Sequence, residues 1–348
     1  SDIDLGFGAV KLRGGLVFDQ DDGLVSADFD QFAISEGDSA RMRLTPSNGG
    51  FALQVRGEQL DLKPMLRRFF DLEGEGTGGP QATAVDQSIS LDVELDRALG
   101  FYSVTAFNLD TELTLDGKDL TRLALQANFG GASSVSVTTN PTERGRAMSI
   151  AFNDLGTLLR FANVYAQLAG GRGSVVINTN TTNKVDRGQV TIADFAIIDE
   201  ENVAQILGNH SDSRQLIARQ NRLDFESGTA SFIRQPDRIE ITDAVLDGST
   251  MGGTARGFIY TDAGQYDLAG TYIPLFGLNN AFQQIPLFGP LLGGRDGEGL
   301  IGVTFAVRGP LNDPQFLVNP ASLLLPGVFR SLMEFRTRNR PAPSAEGG

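Results

Sequence analysis

The chain has 348 residues, and its 29 Lys and Arg against 43 Asp and Glu give a formal net charge of −14. This acidity argues against a nucleic-acid partner, because phosphate binding needs clustered basic side chains. Cysteine is absent, which excludes disulfides, thiolate nucleophiles and cysteine-ligated metals. The sequence starts at Ser1 without a basic-then-apolar leader, so we expect any signal or membrane anchor to lie outside it.

Alternation of apolar and polar residues, typical of half-buried strands, dominates the chain. It is seen at residues 51–55 and is clearest at residues 89–96, where Ile89, Leu91 and Val93 alternate with polar side chains. A parallel sheet covered on both faces would show continuous apolar runs instead, so we predict a mostly antiparallel sheet with one solvated face. The same pattern predicts strands at residues 113–115, 239–241 and 301–307 and a meander of hairpins over residues 223–273.

A few stretches switch to a helical period. The first covers residues 62–72, where Asp61 can cap the N-terminus and Pro64 falls in the first turn. A second is predicted at residues 154–168, and both read Asp-Leu-x-x-(Met/Leu)-Leu-Arg, which indicates a weak internal repeat of meander plus short helix. Further helical pieces are predicted at residues 199–207, 275–293 and 320–337.

These patterns predict a mostly β fold with a strongly curved antiparallel sheet and a few short helices. Residues 1–153 form an N-terminal β-meander segment, residues 154–338 a C-terminal segment, and residues 339–348 a disordered tail. Residues 74–83, which read GEGTGGPQAT, are the best candidate for a flexible loop or a joint between sub-domains.

No constellation in the sequence predicts catalysis. The single histidine, His210, lies in the polar run Asn-His-Ser-Asp-Ser without any G-x-S-x-G motif. Two G-x-G-x-x-G matches, beginning at Gly74 and Gly297, lack the flanking strand and helix that a dinucleotide site needs. Acidic residues cluster at residues 19–30, where a solvated turn is a simpler interpretation than a weak calcium site. We therefore predict a protein that is not an enzyme and needs no metal or cofactor.

The segment between Asp267 and Arg295 carries no charged residue. A transmembrane helix is excluded there, because three prolines and the Asn and Gln pairs would leave polar groups unsatisfied in lipid. Two copies of Ile-Pro-Leu-Phe-Gly, at residues 273–277 and 285–289, bracket a short piece of helical spacing. The segment is either a plug that covers one end of the sheet or an apolar surface that contacts lipid, and the two are not exclusive.

The one basic patch of this acidic chain lies at and just after residues 320–337 and consists of Arg330, Arg336, Arg338 and Arg340. Apolar residues share a helical face beside the arginines, which fits either an interface helix beside anionic head groups or a docked C-terminal helix with a basic end. The residues predicted at this membrane or partner interface are Phe329, Leu332, Met333, Arg330 and Arg336.

The C-terminal half resembles a known family. Its order of motifs includes Gly-Gly-Thr-Ala-Arg-Gly (252–257), Leu-Ala-Gly-Thr-Tyr-Ile-Pro (268–274), Ile-Pro-Leu-Phe-Gly (285–289), Gly-Leu-Ile-Gly-Val-Thr-Phe-Ala-Val-Arg-Gly (299–309) and Asn-Pro-Ala-Ser-Leu-Leu-Leu-Pro-Gly (319–327). This order resembles the C-terminal region of AsmA-like proteins of the YhdP/TamB type, from about Gly156 to Phe335. Upstream, only residues 57–66 resemble the family, through a strand, the motif Gly-x-x-Leu-Asp-Leu and a following helix.

The resemblance implies a very large periplasmic protein of Gram-negative bacteria, anchored in the inner membrane by an N-terminal helix. Its repeated sheet would curl into a long U-shaped groove, a β-taco, which conducts phospholipids from the inner to the outer membrane. This chain would be the C-terminal end, without the anchor. The family offers no catalytic residues to assign.

The residues themselves give this role partial support. The predicted helices are too few and short to cover the apolar face of so many strands, and an acyl chain could supply the missing contact. Exposing roughly fifteen methylenes to water costs on the order of 12 kcal/mol, which an apolar trough avoids. We therefore predict non-enzymatic, bridge-like phospholipid transport, with a periplasmic scaffold docking on an outer-membrane biogenesis partner as the alternative. The residues predicted to contact lipid are Leu275, Phe276, Leu278, Phe282, Ile285, Leu287, Phe288, Leu291, Leu292, Ile301, Val303, Phe305 and Val307.

Overall fold

Strands dominate the molecule. The computed structural model describes residues 2–7, 10–19, 23–47, 49–70, 88–117, 119–182, 185–198, 222–248, 251–274, 303–311 and 314–319. Strands make up 76% of these residues and two short helices are present among them, so the predicted mostly β fold with a curved sheet is confirmed. The chain divides into two compact units, unit 1 (Ser1–Asn183) and unit 2 (Lys184–Gly348). The segment boundary at residues 153/154 stays a prediction.

Unit 1 is a long meander with two helices in its connections. Helix α1 (Lys63–Phe70) follows the fifth strand and helix α2 (Leu155–Phe161) follows the tenth. The strands are β1 (Asp2–Phe7), β2 (Val10–Phe18), β3 (Leu24–Ala33), β4 (Ser39–Ser47), β5 (Gly50–Asp61), β6 (Ser88–Leu99), β7 (Thr105–Asp116), β8 (Asp119–Asn128), β9 (Ser134–Thr142), β10 (Gly145–Phe152) and β11 (Leu168–Asn180).

Strands of unit 1 pair with their neighbours in chain order, and the registered pairs are antiparallel with one exception. Strands β5 and β6 pair in parallel, with Gly50 beside Ser88 and Asp61 beside Leu99. Parallel neighbours require the chain to cross back along the sheet, and α1 opens that crossover. The alternation of the sequence carried no information about this local change of direction.

Unit 2 is a second meander. Its strands pair antiparallel in chain order from β12 to β18. They are β12 (Val185–Ile198), β13 (Arg222–Arg234), β14 (Arg238–Asp247), β15 (Met251–Tyr260), β16 (Gln265–Pro274), β17 (Val303–Pro310) and β18 (Gln315–Asn319). The meander predicted over residues 223–273 is confirmed as β13 to β16.

Bulges interrupt the ladders of both units. In unit 1 the register shifts between Phe29 and Phe32 and again between Phe107 and Asp110. In unit 2 it shifts between Ile241 and Ala244. Each bulge adds residues to one strand, which bends that strand and increases its twist.

Both helices begin within one residue of the prediction and α2 is shorter than predicted, whereas the predicted end of the first helix, at residue 72, lies outside the described residues. Helix α1 begins as expected, because Asp61 Oδ1 accepts the backbone N–H of Lys63 at 2.9 Å. Helix α2 ends at Phe161, since Asn163 has a left-handed φ of 59° and the chain then enters β11. The predicted helices at 199–207, 275–293 and 320–337, the loop at 74–83 and the tail at 339–348 lie outside the described residues. None of the helices in the described ranges is long and apolar enough to cross a membrane.

Candidate functional site

The register of unit 1 lines up apolar side chains across successive strands. Residues directly opposite each other in neighbouring strands point to the same face of the sheet. Leu91 on β6 lies between Leu53 on β5 and Leu113 on β7, and Leu113 lies opposite Leu123 on β8. Pairings of β4 with β5 and of β10 with β11 extend this line. We call it the central row; it consists of Leu44, Leu53, Leu91, Leu113, Leu123, Met148 and Ile177. Its position on β9 is held by the polar Thr139, which lies opposite Met148 and whose hydroxyl donates to the carbonyl of Leu123 at 2.8 Å.

A second row on the same face is buried. Leu95 is 2% exposed and lies opposite Leu109, while Val135 on β9 pairs with both Ala127 and Phe152. We call these five residues the buried row. All of them except Phe152 belong to a cluster against which Leu66 of α1 and Leu158 of α2 pack. Both helices therefore contribute to the core at this end of the strands.

Helix α2 seals this end through Phe161. A Cβ atom at Gly100 would lie 2.2 Å from the Phe161 ring, so only glycine allows the ring to approach so closely. The ring also meets Phe129 edge-on, with centroids 5.3 Å apart. The backbone carbonyl of Phe161 accepts the N–H of Phe101 at 3.0 Å, which ties the helix to the turn between β6 and β7.

Helix α1 closes the neighbouring part of the same end. The N–H of Leu62 donates to the carbonyl of Leu99 at 2.9 Å, which joins the start of the helix to β6. The guanidinium of Arg67 lies over the ring of Phe101, 5.6 Å from its centroid. The apolar face of unit 1 thus ends beneath two anchored helices.

Away from the helices the apolar face stays partly open. Every residue of the central row keeps part of its surface exposed, whereas the buried row, on the same strands, does not. The central row runs from β4 to β11, and neighbouring strands lie about 4.8 Å apart, so it follows the sheet for about 34 Å. This length is comparable with the hydrocarbon core of a bilayer, roughly 30 Å.

The opposite face of unit 1 is charged, and its ions pair with one another. Arg43 contacts Asp28 at 2.7 Å, Arg122 contacts Glu112 at 2.7 Å, and Arg56 contacts Glu94 at 3.1 Å. A shallow depression of about 580 Å³ lies here and is lined mainly by carboxylates and arginines. This contrast between faces makes the central row the candidate functional site of unit 1.

Unit 2 also has an apolar face, on which aromatic rings cover glycines. A Cβ at Gly188 would lie 2.0 Å from the Phe232 ring, and one at Gly270 would lie 2.8 Å from the Phe305 ring. Phe195 and Phe225 stack with centroids 5.0 Å apart. The aromatic side chains fill the space that glycine leaves on a neighbouring strand, which pins the register.

Two of the predicted lipid-contacting residues can be placed on this face with their side chains. Phe305 and Val307 on β17 are half-buried, opposite Gly270 and Leu268 respectively. Val303 belongs to the same strand. The other predicted lipid contacts and the five predicted interface residues lie outside the described residues and stay predictions, as do the proposed roles of these three.

The second face of β16 and β17 is buried as well. Thr304 and Ala306 are 0% exposed, and Asp267, 8% exposed, pairs with Arg308 at 3.2 Å. The alternation at residues 301–307 predicted a wet face here, yet Thr304 lies on it. At this place in unit 2, both sides of the sheet are therefore covered.

The remaining sequence candidates have structural explanations or lie outside the described residues. Asp19 Oδ1 accepts the N–H of Gly23 at 2.7 Å, which closes a turn, and Asp28 is paired with Arg43. No grouping of three or more metal-ligating side chains occurs among the described residues. His210 and both glycine motifs lie outside them.

Comparison of the chain with family models, with curated proteins and with solved structures gave no match.

Sequence reasoning predicted the strands of unit 1 but did not single out the central row. Its signal was present in the alternation at residues 51–55, 89–96 and 113–115. Another missed residue is Arg146, a lone charge in the apolar positions of the run Arg-Ala-Met-Ser-Ile-Ala-Phe. The sequence signal that could have identified Arg146 is a charged residue at a position where the alternation predicts an apolar one.

Proposed function

We propose that this protein binds phospholipid acyl chains on the central row and conducts them, without catalysis, between the inner and outer membranes of a Gram-negative cell. The observation that carries the proposal is the partial exposure of a leucine-rich row about 34 Å long. The residues of this row are half-buried, and a row of partly exposed aliphatic side chains on one sheet face is suited to contact a ligand or partner. The resemblance of the C-terminal half to AsmA-like proteins supports the same role and the periplasmic location.

The physical basis is the cost of hydrating a hydrocarbon chain. Each methylene moved out of water contributes about 0.8 kcal/mol, and this gain is not directional. A row of mostly aliphatic side chains, interrupted on β9 by Thr139, therefore gives a chain similar contacts at successive positions along the sheet. The lipid can shift along the row without a large barrier, and no energy-coupling site is needed in this part of the protein.

Displacement of a fluorescent acyl-chain probe from the purified whole chain tests this proposal. Leu113→Asp places a charge in the middle of the central row, and we expect it to weaken probe binding by about ten- to hundredfold, the loss of one leucine contact. Thr114→Asp is the matched control, because Thr114 is the next residue on β7 and faces the opposite side. The control should bind as the wild type does.

Two results would refute the proposal. One is a wild-type protein that binds no acyl-chain probe. The other is equal binding by Leu113→Asp and the wild type, with far-ultraviolet circular dichroism confirming that both are folded.

A second candidate, a scaffold that docks on an outer-membrane biogenesis partner, is favoured by one local observation. Three apolar residues at the β2–β3 turn are unusually exposed: Val17 by 55%, Phe18 by 47% and Leu24 by 38%. Aromatic and aliphatic side chains of this kind anchor protein interfaces. Crosslinking from Phe18 would trap a protein under this candidate, whereas lipid binding on the central row predicts no protein adduct there.

A further inference from the structure

Arg146 occupies an exceptional place in unit 1. On the register positions of β4 to β10 that share the apolar face, it is the one charged residue in the described part of the sheet. It lies on β10 two residues before Met148 of the central row, so its Cα is about 7 Å from that row. Its partners in register are Pro141 on β9 and Thr179 on β11, neither of which carries a charge.

Arg146 is half-buried as a residue, and its guanidinium has no acceptor among the described residues. Arginines on the opposite face behave differently, since Arg43, Arg56 and Arg122 each contact a carboxylate. Arg146 therefore places an unpaired cation on the apolar face, and an anion supplied by a ligand would provide its missing partner. The fixed fork of N–H donors on arginine suits a phosphate group.

We propose that Arg146 binds the phosphate of an amphiphile whose hydrocarbon chain lies on the central row. The inference rests on the proposed function and adds to it the residue that holds the phosphate of the head group. Arg146 lies beside the central row, two residues along β10 from Met148, so one molecule can place its tail on the row and its phosphate at Arg146. A neutral head group would leave the guanidinium unpaired.

A competition assay with two single-chain amphiphiles of equal tail length tests the assignment. Dodecyl phosphate and the uncharged dodecyl maltoside, each below its micelle-forming concentration, compete with the acyl-chain probe on the whole chain. Arg146→Gln should weaken the binding of dodecyl phosphate about tenfold and leave the binding of dodecyl maltoside unchanged. Arg144→Gln, the same change at an exposed residue in the β9–β10 turn, should alter neither.

The outcomes separate this inference from the proposed function. The head-group assignment is wrong, while tail binding stands, if Arg146→Gln and the wild type bind dodecyl phosphate equally. It is also wrong if Arg144→Gln loses as much affinity for dodecyl phosphate as Arg146→Gln does. If neither amphiphile binds to the wild type, the proposed function fails and the inference fails with it. Inorganic phosphate that competes as strongly as dodecyl phosphate would show that the site takes free phosphate, which also overturns the lipid assignment.

Discussion

Burial sets the chemistry of one tyrosine in unit 2. Tyr272 on β16 is 5% exposed and lies opposite Gly253, on the apolar face that also carries Phe305. Removal from water disfavours the charged phenolate, and this raises the pKa of Tyr272 to about 12. Burial also raises the pKa of Tyr266 on the same strand.

This shift predicts a loss of stability at high pH. Between about pH 10 and about 12 the unfolded chain releases the Tyr272 proton while the folded chain keeps it, so the free energy of unfolding falls as the pH rises. The loss amounts to roughly 2–3 kcal/mol at 1.36 kcal/mol per pKa unit. Tyrosinate absorbance of the native protein should show late-titrating tyrosines, and Tyr272→Phe should reduce the amplitude of that late step whereas exposed Tyr102→Phe leaves it unchanged. A late step of full amplitude in Tyr272→Phe would contradict the assignment.

The sequence alone predicts which residues of a strand share a face, but it does not predict which part of that face is buried. Leu91 and Leu95 belong to one alternating run, yet Leu91 is half-exposed and Leu95 is buried. Their difference comes from tertiary packing, because the helices cover only one end of the strands. The alternation therefore predicts the apolar face, whereas its open part required the positions of α1 and α2.

At the level of secondary-structure elements, helix α2 depends on its N-cap. Asp154 Oδ1 accepts the N–H of Thr157 at 3.0 Å, and its Oδ2 accepts the Thr157 hydroxyl at 2.7 Å. These bonds satisfy backbone and side-chain donors at the start of a helix only two turns long. The helix in turn holds Phe161 over the buried row.

Loss of this cap should destabilise the protein. We expect Asp154→Ala to lower the free energy of unfolding by about 1 kcal/mol, and Asp154→Asn to keep most of it, since asparagine also caps helices. Urea denaturation followed by circular dichroism measures both changes through the transition midpoint. An unchanged midpoint in Asp154→Ala would show that packing of Phe161 alone holds the helix.

Element types were easier to predict than element ends. Asp61 correctly predicted where α1 begins, because capping is a local property, and the second helix was predicted to start at residue 154, one residue before the observed α2. The end of α2 was predicted too late, since the left-handed Asn163 and the return into β11 depend on tertiary pairing. The parallel pairing of β5 with β6 was not predicted for the same reason.

At the scale of the whole molecule, both units have an apolar face. In unit 1 the helices close one end of the face and the central row stays partly exposed. In unit 2 aromatic rings lie over glycines on a face that is also half-buried, and Thr304 and Ala306 are buried on the other side. The lipid contacts predicted from the sequence at residues 275–307 lie mostly outside the described residues and stay predictions. The central row was not predicted, because its residues are distributed over many strands and form no compact sequence motif.

Photocrosslinking tests the central claim most directly. A photoreactive phenylalanine analogue replaces Leu113 on the central row in one variant and Glu112, on the opposite face of β7, in another. After illumination in membranes of the producing cell, the Leu113 variant should carry covalently attached phospholipid by mass spectrometry and the Glu112 variant should carry none. Protein adducts alone at Leu113, or equal lipid labelling from both faces, would contradict a lipid-binding apolar row.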